Sequence, residues 1–307
     1  NPHECWVTAR SEGKSSGYGR IREQFGLQIS RFHAVAERIA RMALDLYASD
    51  AARRYTAAAL DRGERPSVAS AILKVHLTEA GRRAINDGMD ILGGKGIIAG
   101  PGNLLGVAYR HAPIAITVEG ANILTRALII FGQGALRCHP FVLAELNAVQ
   151  SRDTQALGEA LLGHAGHVLR NLRACLWHPP VRGSVPADLA AEARRIARVS
   201  AAYALMADLA MGLLGGRLKR MELLSARLGD VLSHLYLASA ALWRYQFEAE
   251  TAMLPFARAA IRVQLDLAAA TLRDLVANLP SRGLRRVAPV LLRGTRHLAP
   301  MRDKDLL

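Results

Sequence analysis

Apolar residues recur at three- and four-residue steps along most of the chain. Ile29, Phe32, Val35, Ala36, Ile39, Met42, Ala43 and Leu46 trace one such stripe, which predicts a helix over 29–60. Gly63 and Pro66 punctuate its end. A second stripe, from Ala71 and Val75 through Ala80 and Ile85 to Met89 and Leu92, predicts a helix over 67–92, stopped by Gly93 and Gly94. A glycine loop, GGKGIIAGP over 93–101, leads to a short apolar segment at 104–109 that Pro113 closes. A long helix is expected over 120–136, a break at His139-Pro140, and another helix beyond it. The stretch WHPPVRGSVP, 177–186, reads as a linker. Past it, 187–214, 219–249 and 256–279 are helical by the same periodicity, and the Arg-rich tail from Pro280 carries helical patches. No internal repeat and no sustained alternation is visible. The pattern predicts an all-α protein, an antiparallel helical bundle followed by a second helical domain.

The expected organisation is a flexible start over 1–17, the bundle over 18–150 and the second domain over 151–307. Flexibility at the start is read from SEGKSSGYG, 11–19. The chain begins at Asn1, and no apolar stretch follows a charged one there, so a processed or non-native start without a signal peptide is expected.

Composition narrows the reading. The 307 residues suffice for two domains, and 51% are hydrophobic, so a sizeable core is available. Aromatics are only 5%, against an all-β fold. Cys5, Cys138 and Cys175 cannot build a disulfide framework, which points to a reducing compartment. The net charge of +14 comes mostly from arginine. It fits either an anionic partner or arginines on solvated helix faces. No dense basic tract is interleaved with aromatics, so no nucleic-acid partner is expected. The apolar run 199–216 is at the short end for a membrane span, and Asp208 within it favours a buried bundle helix over a membrane role.

Three sets of residues carry candidate chemistry. Gly93, Gly94, Lys95 and Gly96 would let a phosphate or ring approach the backbone. The loop follows a helix rather than a strand, so a plain helix cap and turn is the competing reading. His164, His167, Cys175 and His178 have spacings like those of zinc ligands, but residues three apart only loosely share a helix face and no second Cys pair exists, so no metal is expected. Glu119 ends the apolar run AITVEG, 115–120. Partial desolvation there would suit a general base, and Gly120 would admit a ligand closely. The alternative is a carboxylate placed to complement a helix N-terminus.

Taken together, several motifs resemble the acyl-CoA dehydrogenase family. Arg22-Glu23-Gln24-Phe25-Gly26, with Tyr18 before it and Ile29 after, is similar to that family's Y-x-x-x-R-x-x-F-G-x-x-I signature. Ile91-Leu92-Gly93-Gly94-Lys95-Gly96 is similar to its I-x-G-G-x-G loop, and Val118-Glu119-Gly120, nine residues after Arg110, to its R-D…Y-E-G segment. The stretch 112–140 and the segment 214–245 resemble the large bacterial members that act in fatty-acid β-oxidation.

The resemblance implies FAD-dependent α,β-dehydrogenation of a fatty acyl-CoA. Glu119 would be the base, its backbone N–H and Gly120 facing the thioester. Arg22 would reach the FAD pyrophosphate, typically across a subunit interface, with Phe25 packing near the same cofactor. Gly93, Gly94 and Gly96 would accept the adenosine part of a neighbouring subunit's FAD. The resemblance further implies a homo-oligomer, electron-transfer flavoprotein or an equivalent acceptor, and a bacterial cytoplasmic location with membrane-surface association as an option.

Five residues depart from the family pattern: Asp90 stands where Gln is usual, His111 where Asp is, Val118 where Tyr is, and Ala121 and Ile123 where Thr and Gln are. Residues 1–15 do not resemble the helix expected before the Arg22 motif. The family's N-terminal helical and middle β-domains have no counterpart in this sequence, so little or no dehydrogenase activity is expected of the chain alone. A non-catalytic helical scaffold for oligomerisation or membrane-surface docking is the competing function.

Overall fold

The computed structural model describes residues 2–103, 105–134, 139–177, 181, 183, 185–248 and 250–292, without the side chains of 2–7, 219, 284, 287 and 291. Leu104, Leu136, Cys138, His178, Pro179, Pro180, Ala249 and the tail from 293 lie outside the described residues.

The elements, in order, are α1 (Pro2–Ile21), strands β1 (Glu23–Gln24) and β2 (Leu27–Gln28), a 3-10 turn (Ile29–Arg31), α2 (His33–Asp61), α3 (Ser67–Leu92), α4 (Gly94–Ile97), α5 (Gly106–Thr117) and α6 (Asn122–Leu124). A π-helical turn (Thr125–Ile129) follows. Then come α7 (Val142–Ser151), α8 (Thr154–Leu176), α9 (Ala190–Leu214), α10 (Glu222–Glu248), α11 (Leu254–Ala277) and α12 (Arg282–Leu291). Among the described residues the all-α expectation holds apart from one small antiparallel hairpin, with Glu23 opposite Gln28 and Gln24 opposite Leu27.

The chain divides into two compact units. Residues 2–122 and 237–262 make the first, and 123–236 and 263–292 the second. The expected boundary at 150/151 is therefore not where the contacts divide. Residues from late in the sequence return to complete the first unit. Arg244 lies over the Tyr47 ring, 4.5 Å from its centroid, and Trp243 packs on Tyr55. Arg244 Nη1 also reaches Asp50 Oδ2 at 3.2 Å.

In the first unit α3 is the central rod, packed on α1, α2 and α5. Its apolar face buries Ile72, Leu73, Val75, Leu77, Ala84 and Ile85. Its bounds match the expected 67–92, and Gly93 ends it at φ +56, a conformation that costs a residue with a Cβ.

The expectation of a flexible start is corrected, since residues 2–21 form α1. The small residues that suggested a linker are instead a packing stripe. Thr8, Ser11, Ser15 and Gly19 recur at three- and four-residue steps, and all four are buried. Ser15 lies against Gly88 of α3, and Gly19 faces Ser30 and Ile39.

Two further differences follow from local chemistry. Pro113 does not end a segment but lies inside α5. No residue of α5 is buried, so water can satisfy the carbonyl that the missing N–H leaves open. The helix expected over 120–136 starts at Asn122 and widens at once into the π turn, with Ile130 N donating to Thr125 O at 3.1 Å.

In the second unit α8 packs between α7 and α9. Asp153 caps α8 by accepting from Ala156 N at 2.9 Å. The apolar run 199–216 lies mostly in α9, which buries Ile196, Val199, Leu205, Met206 and Leu214. By length and composition α9 is also apolar enough to cross a membrane, and 44% of its apolar window is buried within the protein.

Candidate active site

The sequence-predicted site residues that the structure describes fall at the two ends of α3. At its C-terminal end, Tyr18 and Ile29 flank the β1–β2 hairpin and pack on Met42, Ala84 and Ile91. The Arg22 backbone closes the hairpin, its N–H donating to Tyr18 O at 2.8 Å and its carbonyl accepting from Ile29 N at 2.9 Å. The Arg22 side chain is exposed and makes no ion pair among the described residues. Phe25 is 93% exposed and sits at φ +53 at the hairpin tip, edge-on to Phe32. A bulky aromatic that is both solvent-exposed and held in the left-handed region gains nothing from this chain's own core.

The glycine loop shares that end of α3. A Cβ on Gly93 or Gly94 would meet nothing within 4 Å, whereas one on Gly96 would stand 3.1 Å from the Met89 sulfur. Gly96 is thus packed tightly against Met89. Gly93 and Gly94 leave open space beside a cleft of about 640 Å3 lined by Asn86, Met89, Asp90, Gly93, Ile97 and Tyr109. Asp90 has a structural reason of its own, because Arg38 Nη1 reaches its carboxylate at 3.0 Å. Exposed Ile21, Phe25, Ile97 and Ile98 give this end an apolar surface.

Glu119 lies at the other end. Its turn touches α3 at Lys74, and Lys74 precedes Gly93 by 19 residues. At 1.5 Å per residue, Glu119 and the glycine loop are about 28 Å apart along α3. They cannot meet one another. The expectation that Glu119 is desolvated is also corrected, since its side chain is exposed in this chain. What sets it apart is its backbone. Glu119 has φ +56 and Gly120 has φ +91, between the end of α5 and the start of α6. A non-glycine residue held there costs on the order of 1–3 kcal/mol and needs surroundings that over-determine it. The Glu119 N–H makes no hydrogen bond among the described residues. Val118, where the family has Tyr, is about half exposed at 49%, and Arg110 and His111 are exposed.

The surroundings that hold this turn include two residues that sequence reasoning missed. Lys74 Nζ donates to Gly120 O at 2.6 Å, to Asn122 Oδ1 at 2.6 Å and to Ile116 O at 3.2 Å. Asn122 is buried, and its amide nitrogen donates to Thr78 Oγ1 at 2.9 Å and Glu79 Oε1 at 3.1 Å. A lone lysine in an amphipathic helix reads as a solvated charge, so no pattern announced it.

Of the residues with zinc-like spacing, His164 and His167 both lie against His139, their ring centroids 4.8 and 5.7 Å from its own, and His178 lies outside the described residues. His164 Nδ1 lies 2.7 Å from Glu145 Oε1, and Cys175 sits three turns further along α8, buried, its thiol pushed up to about 11 by that burial. In its place His139 and Asp208 come in, with Nε2 and Oδ1 2.8 Å apart. His139, His164 and Asp208 each offer one ligand-type atom, all within 4.8 Å of one another. The hydrogen bonds decide the proton on His139. Its Nδ1 accepts from Phe141 N at 3.2 Å and Val142 N at 3.1 Å, so the proton is on Nε2 and is donated to Asp208. A cation at Nε2 would need the proton on Nδ1, where two N–H groups already point. The cluster therefore reads as a helix cap joined to a carboxylate.

Comparison with known proteins gives the motifs their context. Residues 136–305 match the family model "Acyl-CoA dehydrogenase, C-terminal, bacterial type", and residues 5–132 match "Acyl-CoA dehydrogenase, C-terminal domain". The chain belongs to the acyl-CoA dehydrogenase family, as the equivalent of its C-terminal helical part. Among curated relatives, the mitochondrial very long-chain specific acyl-CoA dehydrogenases of Macaca fascicularis and Homo sapiens are each 29% identical over 160 residues, 51% of this chain and 23% of those proteins. The Mus musculus protein is 27% identical over 156 residues, 50% of this chain and 22% of its own length. The matched region is thus less than a quarter of these relatives. The fold is shared with the crystal structure of an acyl-CoA dehydrogenase complexed with FAD from Bacillus anthracis. That match has a TM-score of 0.76 at 20% identity and covers 98% of this chain and 51% of the other. The match from residue 5 includes the segment that by itself did not resemble a family helix.

Proposed function

We propose that this chain supplies the base and part of the cofactor-binding surface of an FAD-dependent enzyme that oxidises medium- or long-chain fatty acyl-CoA to trans-2-enoyl-CoA. The observation that carries this reading is the strained backbone of Glu119, φ +56, with its N–H free among the described residues. Strain of that kind collects at functional positions, where it pre-organises a group.

In this reading the Glu119 carboxylate takes the α-proton of the thioester. Its N–H donates to the thioester carbonyl oxygen, where negative charge develops as that proton leaves. The surfaces at the far end of α3 fit FAD. Arg22, exposed and outside any ion pair, is suited to a pyrophosphate, Phe25 offers an exposed aromatic face, and Gly93 and Gly94 leave open backbone for an adenosine. FAD, when bound, supplies the acceptor for the hydride that leaves Cβ, and the electrons pass on to electron-transfer flavoprotein or an equivalent acceptor. The 28 Å or so along α3 supports a reading in which base and adenosine surface serve two different cofactor molecules, as they would in a homo-oligomer. The exposed carboxylate of Glu119 and the exposed Ile21, Ile97 and Ile98 support covering by further domains or subunits. The chain alone then has little or no dehydrogenase activity.

The test is Glu119→Gln in the FAD-loaded full-length enzyme. We expect turnover of acyl-CoA to fall by several orders of magnitude while FAD stays bound, and retained turnover would remove Glu119 as the base. Rapid oxidation of palmitoyl-CoA by the isolated 307-residue chain, with a dye acceptor, would overturn the expected inactivity.

A second reading draws on α8. Leu161, Leu162, Leu169 and Leu176, with Trp177 just beyond, are all at least half exposed. An apolar face among arginines suits a docking role at an anionic membrane surface. Salt-sensitive binding to anionic liposomes, without flavin or acyl-CoA binding, would favour it.

A further inference from the structure

We propose that Lys74 and Asn122 are positioning residues for the Glu119 base; this rests on the reading of Glu119 given above. An ammonium group has three protons, and here at least three oxygens lie within hydrogen-bond distance of it. Those oxygens bracket the base: Ile116 O lies before it, Gly120 O directly after, and Asn122 Oδ1 beyond. Asn122 then fastens the far side of the turn to α3 through Thr78 and Glu79, one helical turn on from Lys74. Thr78 Oγ1 in turn donates to Lys74 O at 2.8 Å, so the clamp closes on itself. Only one orientation of the Asn122 amide serves both neighbours, oxygen toward Lys74 and nitrogen toward Thr78 and Glu79.

The arrangement explains how an exposed glutamate keeps a left-handed backbone. Gly120 O belongs to the residue after Glu119, and holding it at 2.6 Å from Lys74 fixes the Gly120–Ala121 peptide plane, one residue beyond the base. With the ammonium removed, the Ile116 carbonyl of α5 and the Gly120 carbonyl lose a common donor. The turn can then relax to negative φ, which swings both the carboxylate and the Glu119 N–H. Both groups act on the same thioester, so one displacement weakens proton removal and the stabilisation of the charge that develops on the carbonyl oxygen together.

The experiment uses Lys74→Met, Lys74→Arg and Asn122→Ala in the FAD-loaded full-length enzyme, with Glu119→Gln alongside. A misplacement near 1 Å costs about 100-fold, so Lys74→Met should lower kcat by about 10- to 100-fold. FAD content should stay at the wild-type level, and KM should move by no more than about threefold. The isotope effect on kcat with α-deuterated acyl-CoA should rise, because proton removal becomes slower. Lys74→Arg, which keeps a cationic donor, should recover part of the rate. Amide hydrogen exchange over 116–122 should quicken in Lys74→Met.

If Lys74→Met keeps kcat within about twofold while Glu119→Gln is dead, the base stands and the clamp is not its positioner. If Glu119→Gln still turns over, the base reading falls and takes the clamp's role with it. Should Lys74→Met fail to fold, Asn122→Ala decides by the same measurements, and failure of both to fold assigns the pair to stability alone and overturns the proposal.

Discussion

Ser15 and Gly88 meet where α1 crosses α3. A Cβ on Gly88 would stand 2.8 Å from Ser15 Oγ and 2.5 Å from Leu105 Cδ1. Leu105 is itself buried, so it cannot swing clear into solvent. Gly88→Val should destabilise the first unit by about 2 kcal/mol through overpacking. Urea unfolding followed by far-UV circular dichroism measures this, and an unchanged midpoint would mean that α1 does not pack there.

Gly13 and Gly17 lie in the same helix with nothing within 4 Å of a hypothetical Cβ and no positive φ. Replacing each by alanine should stabilise α1 by about 0.5–1 kcal/mol, the ordinary gain of alanine over glycine in a helix. A truly flexible segment would give no change, so this pair of variants separates the helical start from the linker that the composition suggested.

The helices were legible where apolar spacing ran long, as in α3, whose bounds match the expectation. The start was misread because Ser and Gly carry two meanings, linker residue and close-packing residue, and a single sequence does not say which. The unit boundary was illegible because it is set by Trp243 and Arg244 returning to α2, a contact between distant positions. Glu119 stands out in sequence by the apolar run it ends and by its motif, but the left-handed backbone there was not legible, and neither were Lys74 of α3 and Asn122 of α6, which bond to its turn and to one another.

Strain at Glu119 makes a stability prediction separate from catalysis. Glu119→Gly should raise stability by on the order of 1 kcal/mol, since glycine adopts φ +56 freely, partly offset by its looser unfolded chain. Gly120→Ala, at φ +91, should do the reverse. Thermal melts of the two variants check the signs.

Arg244 is 15% exposed and binds Asp50, Glu248 and the Tyr47 ring. Burial pushes the Asp50 carboxyl up, but the bond from Arg53 and the charges of Arg244, Arg54 and Arg53 outweigh it and hold the group below its usual range. Arg244→Met should cost about 2 kcal/mol, less than a fully broken buried pair because Asp50 keeps Arg53 and Arg54. Because Asp50 is depressed in the fold, its contribution is intact at neutral pH and lost on acidification below the ordinary carboxylate range. Denaturant titration at pH 7 and at pH 3 checks both statements.

His167 accepts from Asn171 Nδ2 through Nε2 at 2.9 Å. Burial holds its imidazole below the ordinary value of 6.5. His139, Arg170 and His164 act in the same direction, and Asp208 opposes them. The unfolded chain therefore takes up this proton first. Stability from the neutral ring is full above pH 6.5 and drains away as the pH falls through the lower folded value. Melts from pH 8 to pH 5 should show the decline, and His167→Gln should flatten it.

The return of residues 237–262 to the first unit sets a timetable for biosynthesis. Once residue 122 has left the ribosome, Tyr47 and Tyr55 still await Arg244 and Trp243. At about 5–20 residues per second the wait is on the order of ten seconds. During that interval the nascent polypeptide displays a half-built apolar surface, a natural substrate for holding chaperones and a point at which slow codons or heat would divert it to aggregates.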